Sequence, residues 1–217
     1  GAGWSLLQQP RLHFDADGGI VLTFGNSDYR RFAPDPGNAN RLLSPPGDFS
    51  TLMYQPANGG YMRSFRDGAR HEFHSDGAIQ KMVDRYGHET TFTHLGGLLS
   101  TVVSPTGYRF TLQYSGAGKL TQITDSANRV TRFLVDGAGD LVQVTDAEGA
   151  VRRFLYDSEH RLIAQFGSRT ERTEYGYTNG RVVSARAFDT DGQTMLRERT
   201  FAPSALNGEI AEALRRG

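Results

Sequence analysis

Cysteine is absent from the 217 residues, which removes disulfide frameworks, thiol nucleophiles and thiolate metal sites together and leaves the redox compartment unread. Lysine is scarce, with Lys81 and Lys119 the two present. The positive charge is otherwise arginine, whose planar fork suits pairing with carboxylates across strands; biased codon usage accounts for the same composition. Neither sign of charge is in excess, because 24 Lys and Arg balance 24 Asp and Glu, so no net field draws the chain to nucleic acid or an anionic surface. No run approaches the ~18 apolar residues of a membrane span. The stretch Gly1 to Pro10 has neither the charged start nor the apolar run of a signal peptide. The chain also begins without Met and is expected to be a piece of something longer. Nucleic acid and a membrane span are therefore not expected.

What is abundant is glycine, at 26 residues against an apolar fraction of 37%, a balance that favours many tight turns and small patches of core over helices. From residue 76 onward the sequence repeats at about 21 residues. An aliphatic position recurs as Ile79, Leu99, Leu120, Leu141, Leu162 and Val182. Asp84, Ser104, Asp125, Asp146 and Gly167 follow it, and Gly87, Gly107, Asn128 and Gly149 stand three residues further on. Asp and Ser bond nearby backbone amides, and Gly or Asn accepts positive φ, so this pattern reads as a turn. After the turn come Phe92, Leu112, Phe133, Phe154 and Tyr175, and two residues later His94, Tyr114, Val135, Tyr156 and Tyr177. Positions two apart share one face of a strand.

Each repeat is expected to be strand, turn, strand, turn, and the whole an antiparallel meander of about twelve to sixteen strands. The expected repeat core is Phe92, Leu99, Leu112, Leu120, Phe133, Leu141, Phe154, Tyr156, Leu162, Tyr175 and Tyr177. Three regions are expected: an irregular β-rich part over 1–75, the repeats over 76–202 and a tail over 203–217 with a short helix capped by Ser204. In the first, Asp17-Gly18 and Asp67-Gly68 mark hairpins, while the Pro- and Gly-rich stretch 34–50 reads as a loop or covering segment.

No residue pattern supports a reaction, so no enzyme and no catalytic, cofactor or metal residue is expected. His71, Glu72 and His74 have the wrong spacing for a zinc helix, and on a strand the two histidines face opposite ways. Gly116 to Lys119 lacks the glycine and the hydroxyl residue of a phosphate loop. The acidic stretches Asp15–Gly18 and Asp189–Gly192 lack the further ligands of a calcium loop and read as hairpin turns.

The opening Gly1-Ala2-Gly3-Trp4-Ser5, the phrase SPPGDFSTL (44–52) and the unit FLYDSEHRLIA (154–164) resemble the bacterial RHS or YD repeat proteins, relatives of the teneurins and of Tc toxin shell components. The resemblance implies an all-β fold in which tandem hairpins form a curved, open sheet that is part of a hollow shell. It implies a structural segment of a secreted or cell-surface toxin, walling in or presenting a toxin domain. The partners implied are that cargo domain and further shell segments of the same or another chain. Open edges add self-association as an expected partner mode. The family's C-terminal self-cleavage signature is not found, and autoproteolysis is not expected. The alternative reading is a carbohydrate- or protein-binding adhesion module, since aromatic faces suit sugar stacking and protein contacts alike.

Overall fold

The computed structural model describes residues 9–24, 28–169 and 171–202. The Gly1–Ser5 motif and the helix expected over 203–217 lie outside these. Among the described residues every regular element is a β-strand. One compact unit ends at Val130 and a second begins at Thr131.

The first unit holds β1 (Arg11–Phe14), β2 (Ile20–Thr23), β3 (Tyr29–Pro34), β4 (Arg41–Leu43), β5 (Thr51–Gln55), β6 (Gly60–Ser64), β7 (Arg70–Phe73), β8 (Ile79–Val83), β9 (Glu89–Leu95), β10 (Leu98–Val103), β11 (Arg109–Tyr114) and β12 (Leu120–Asp125). The second holds β13 (Val130–Val135), β14 (Leu141–Thr145), β15 (Val151–Tyr156), β16 (Leu162–Phe166), β17 (Arg172–Thr178), β18 (Arg181–Phe188) and β19 (Met195–Thr200). Within each unit successive strands pair antiparallel, so the chain is an open all-β meander of tandem hairpins. The described residues hold nineteen strands, more than the twelve to sixteen expected from sequence. Part of the excess comes from 34–50, where β4 runs between β3 and β5. The prolines of that segment lie outside Arg41–Leu43, so they do not interrupt its ladder.

The first unit has a continuous core. Leu12, Ile20, Leu22 and Phe32 from β1 to β3 are buried together with Leu42, Leu52, Phe73, Ile79, Phe92, Leu99 and Leu112 from β4 onward. The β1–β3 strands therefore cover apolar side chains that the later meander would leave in water, a gain of roughly 1.5–3 kcal/mol for each large residue fully buried. β1 is anchored at its far side by the amide of Leu12, which donates to the carbonyl of Gly77 at 2.9 Å, and by one bridge between Arg11 and Ala78. Gly77 has φ +82°, and a Cβ there would sit 2.1 Å from the carbonyl oxygen of Leu12. Only glycine fits that approach.

In the second unit Leu141, Phe154 and Ala164 are buried, while Arg132, Leu134, Arg153 and Leu155 point to solvent. β13 and β15 thus alternate between packed and open faces, as period-two side chains require.

Candidate functional site

The unit from which any function must be built is the repeated hairpin end. Asp84, Asp125, Asp136, Asp146 and Asp157 each open a turn in which their N–H donates to the carbonyl four residues on, and the N–H three residues on donates back to theirs. The first carboxylate oxygen accepts from the amides two and four residues ahead, at 2.8 to 3.1 Å. The fourth residue is left-handed: Gly87, Asn128, Gly139, Gly149 and His160. This is a three-residue hairpin loop with a bulge, whose twist matches the flanking strands. Ser104 opens the same turn with its hydroxyl in place of the carboxylate. His160 in the left-handed position is a departure that the Gly or Asn pattern did not anticipate.

At the other end of each hairpin the register slips by one residue just before Tyr114, Val135, Tyr156 and Tyr177. The slip brings those residues opposite Leu120, Leu141, Leu162 and Val182. Three tyrosines then reach across the preceding hairpin. Tyr114 donates to the carbonyl of Leu99 at 2.7 Å, Tyr156 to that of Leu141 at 2.9 Å and Tyr177 to that of Leu162 at 2.8 Å. Burial pushes the hydroxyls of Tyr114 and Tyr177 above the usual phenol range, so they remain donors at neutral pH.

Of the residues singled out from sequence, Phe92, Leu99, Leu112, Leu141 and Phe154 are buried, and Leu120, Phe133, Tyr156, Leu162, Tyr175 and Tyr177 are half-buried. Adjacent turns also touch. Tyr108 and Arg129 close the turns begun by Ser104 and Asp125, and both bond Asp125: the tyrosine hydroxyl at 2.6 Å and the guanidinium Nε at 2.7 Å. The Tyr108 hydroxyl, then the amide and guanidinium of Arg129, hold the Asp125 carboxyl down at about 2. On the turns between β13 and β14 and between β15 and β16, His160 Nδ1 lies 2.9 Å from Asp140 Oδ2. Asp140 raises the imidazole above its usual value. These turn-to-turn pairs were missed in sequence, although Tyr108 and Arg129 stand one repeat apart and that spacing is the signal that finds them.

The histidines weighed as ligands sit in separate places. His71 packs edge-on against Phe65 at 5.0 Å, and burial followed by the nearby Arg63 charge lowers its pKa to about 4. His74 faces His94 instead, ring centroids 6.2 Å apart. Among the described residues no group of three or more His, Asp or Glu is arranged to hold a metal ion.

Sequence reasoning also missed one buried charge pair. Arg63 on β6 is 6% exposed; its Nη2 donates to Asp48 at 2.7 Å and its Nε to the hydroxyl of Ser50 at 2.7 Å. The guanidinium lies 4.5 Å from the ring centre of Phe65. Asp48 accepts in turn from the amide of Ser50 at 2.9 Å. The arrangement fastens the 44–50 segment to the sheet, with Nε and Nη2 of Arg63 and the Asp48 carboxylate engaged with one another and with Ser50, which suits a clamp rather than a reactive centre.

The RHS Repeat family model matches residues 135–165, the stretch from the end of β13 through β16. A search of curated proteins finds no match. Among solved structures, the crystal structure of TcdB2-TccC3-Cdc42 is similar with a TM-score of 0.42 and 10% identity, over 87% of this chain and 14% of that one. That of TcdB2-TccC3 without hypervariable C-terminal region has a TM-score of 0.43 and 11% identity over 88% of this chain and 15% of that one. The Photorhabdus luminescens Tc holotoxin pore with a TccC3 mutation has a TM-score of 0.40 and 11% identity over 85% and 14%. This chain spans 14 to 15% of the length of those chains.

Proposed function

We propose that this chain, which carries an RHS repeat at residues 135–165, is a stretch of structural wall in a toxin-related shell. The observation that carries the reading is the set of bonds within each hairpin and from one to the next: the tyrosine hydroxyls of Tyr114, Tyr156 and Tyr177 and the turn pairs Tyr108–Asp125–Arg129 and His160–Asp140. The tyrosines tie the two strands within a repeat and the turn pairs satisfy polar groups of the neighbouring repeat, so the design extends by adding hairpins and ends only where something else covers the edge. Its work is enclosure or presentation of a toxin domain, not turnover. The partners are that cargo and further wall segments, and the setting is outside the cell that makes it.

Limited proteolysis of the polypeptide as its host makes it tests this. Wall residues and any enclosed domain should be cut together and late, and replacing Tyr114, Tyr156 and Tyr177 with Ala should expose both at lower protease. Equal, rapid cleavage of a companion domain in both forms would sink the enclosure reading. Secretion is checked by fractionating producing cells, where retention of all material in the cytoplasm would remove the extracellular assignment.

A further inference from the structure

A cleft of about 420 Å³ opens in the first unit where the β1–β2 turn, the β3–β4 turn and strands β5 and β6 converge. Its volume lies within the roughly 300–1,000 Å³ of small-molecule sites. Three rings line it in succession: Phe14 and Tyr61 have centroids 5.3 Å apart, and so do Tyr61 and Tyr54. Phe14 is 46% exposed although it is large and apolar. The rim carries Asp15, Asp35, Asn40 and Arg41. The carbonyl of Asn40 accepts the amide of Tyr54 at 2.7 Å, which holds the rim turn against the aromatic floor.

Several polar groups here are unspent, although one carboxylate oxygen of Asp35 accepts the amide of Gly37 at 2.9 Å. Among the described residues no hydrogen bond engages the hydroxyls of Tyr54 and Tyr61 or the carboxamide of Asn40. Arg41 has a half-exposed side chain that approaches Asp35 only to 3.8 Å. Asp15 is already bonded by Arg31 at 3.0 Å. Burial, and after it the neighbouring Tyr54, pushes the Tyr61 hydroxyl above the usual phenol range, so it stays a donor.

We propose that this cleft binds a neutral saccharide, its apolar C–H faces packed against the mutually tilted rings of Phe14, Tyr61 and Tyr54 and its hydroxyls bonded by Asn40, Arg41 and Asp35. The match is chemical. A pyranose has an apolar C–H face for aromatic rings and an equatorial rim of vicinal hydroxyls, which planar amide, carboxylate and guanidinium groups meet two at a time. A hydrocarbon would leave Asn40 and Arg41 unpaired. An anion would meet Asp35, and a cation would meet Arg41, so the mixed rim favours an uncharged polyol. The site stands outside the repeats and does not depend on the wall reading.

The test titrates the full chain with neutral hexasaccharides of β-1,4-glucose, β-1,4-N-acetylglucosamine, α-1,4-glucose and β-1,4-mannose, read by saturation-transfer NMR and tyrosine fluorescence. At least one should bind, and Asn40→Ala and Arg41→Ala should each weaken it by about tenfold. Both residues are exposed, so their variants keep the parent melting temperature. Tyr54→Phe keeps the ring and should weaken binding less than Tyr54→Ala. Binding of none of the four sugars, or binding unchanged in both Asn40→Ala and Arg41→Ala, overturns the proposal and leaves the wall reading standing.

Discussion

Tyr156 and the carbonyl of Leu141 form one bond of 2.9 Å between half-buried groups, and Tyr156→Phe removes that bond while keeping the ring. The expected loss is about 1 kcal/mol, the net worth of such a hydrogen bond, measured by urea unfolding with an unchanged denaturant slope. A loss near zero would mean that water replaces the hydroxyl without cost. His71 sets the pH response at the same scale. Its folded pKa is lowered to about 4 from about 6.5 in the unfolded chain, so protonation favours unfolding. Stability is complete above about pH 6.5 and falls as pH drops toward 4, by up to roughly 3 kcal/mol at about 1.4 kcal/mol per pH unit. His94, also lowered by burial, adds in the same direction. Asp125 acts in a lower window, its contribution present above about 3.9 and lost as pH falls toward its folded value of about 2. Calorimetric melting between pH 4 and 7 checks the assignment: His71→Leu should flatten the slope, and an undiminished slope would assign it elsewhere. The turn bonds of Asp125 to the amides of Ala127 and Arg129 were legible because they span four residues or fewer, whereas its bond from Tyr108 reaches across seventeen residues and the burial of His71 depends on Arg63 and Phe65 across the β6–β7 hairpin.

At the scale of elements, the 44–50 segment and β6 are joined by Arg63 and Asp48, whose side chains are 8% and 4% exposed. Removing one partner strands the other charge in the interior, so Arg63→Met should cost roughly 3–5 kcal/mol. Adding Asp48→Ala should recover part of it, and a double-mutant cycle should give a coupling above about 1 kcal/mol. Additive losses would show that the two charges act independently. The attachment of β1 rests on a different contact. Gly77→Ala places a Cβ against the Leu12 carbonyl at a left-handed φ of +82°, a strain of more than about 1 kcal/mol. Hydrogen exchange of Arg11–Phe14 should then quicken while β10 and β11 keep their protection. Uniform protection in the variant would mean that the core side chains alone hold β1.

For the molecule as a whole, the edge matters more than any single bond. Among the described residues β19 pairs only with β18, and Met195 to Thr200 are exposed throughout. An edge of that kind recruits another strand, so light scattering should show association that grows with concentration; a strict monomer up to about 1 mM would show that the edge is protected. The sequence by itself determined the hairpin grammar: the 21-residue period, the turns at Asp84, Asp125 and Asp146, and the positions that face the core, such as Leu99, Leu112 and Phe154. Those features are local, since turn chemistry and side-chain alternation act within a few residues. Only the tertiary structure decided that β1–β3 supply part of the core, that Arg63 finds Asp48 fifteen residues away, that Gly77 receives Leu12 sixty-five residues away, and that Phe14, Tyr54 and Tyr61 share one cleft. These juxtapositions depend on how the hairpins pack, and no short spacing in the chain records them.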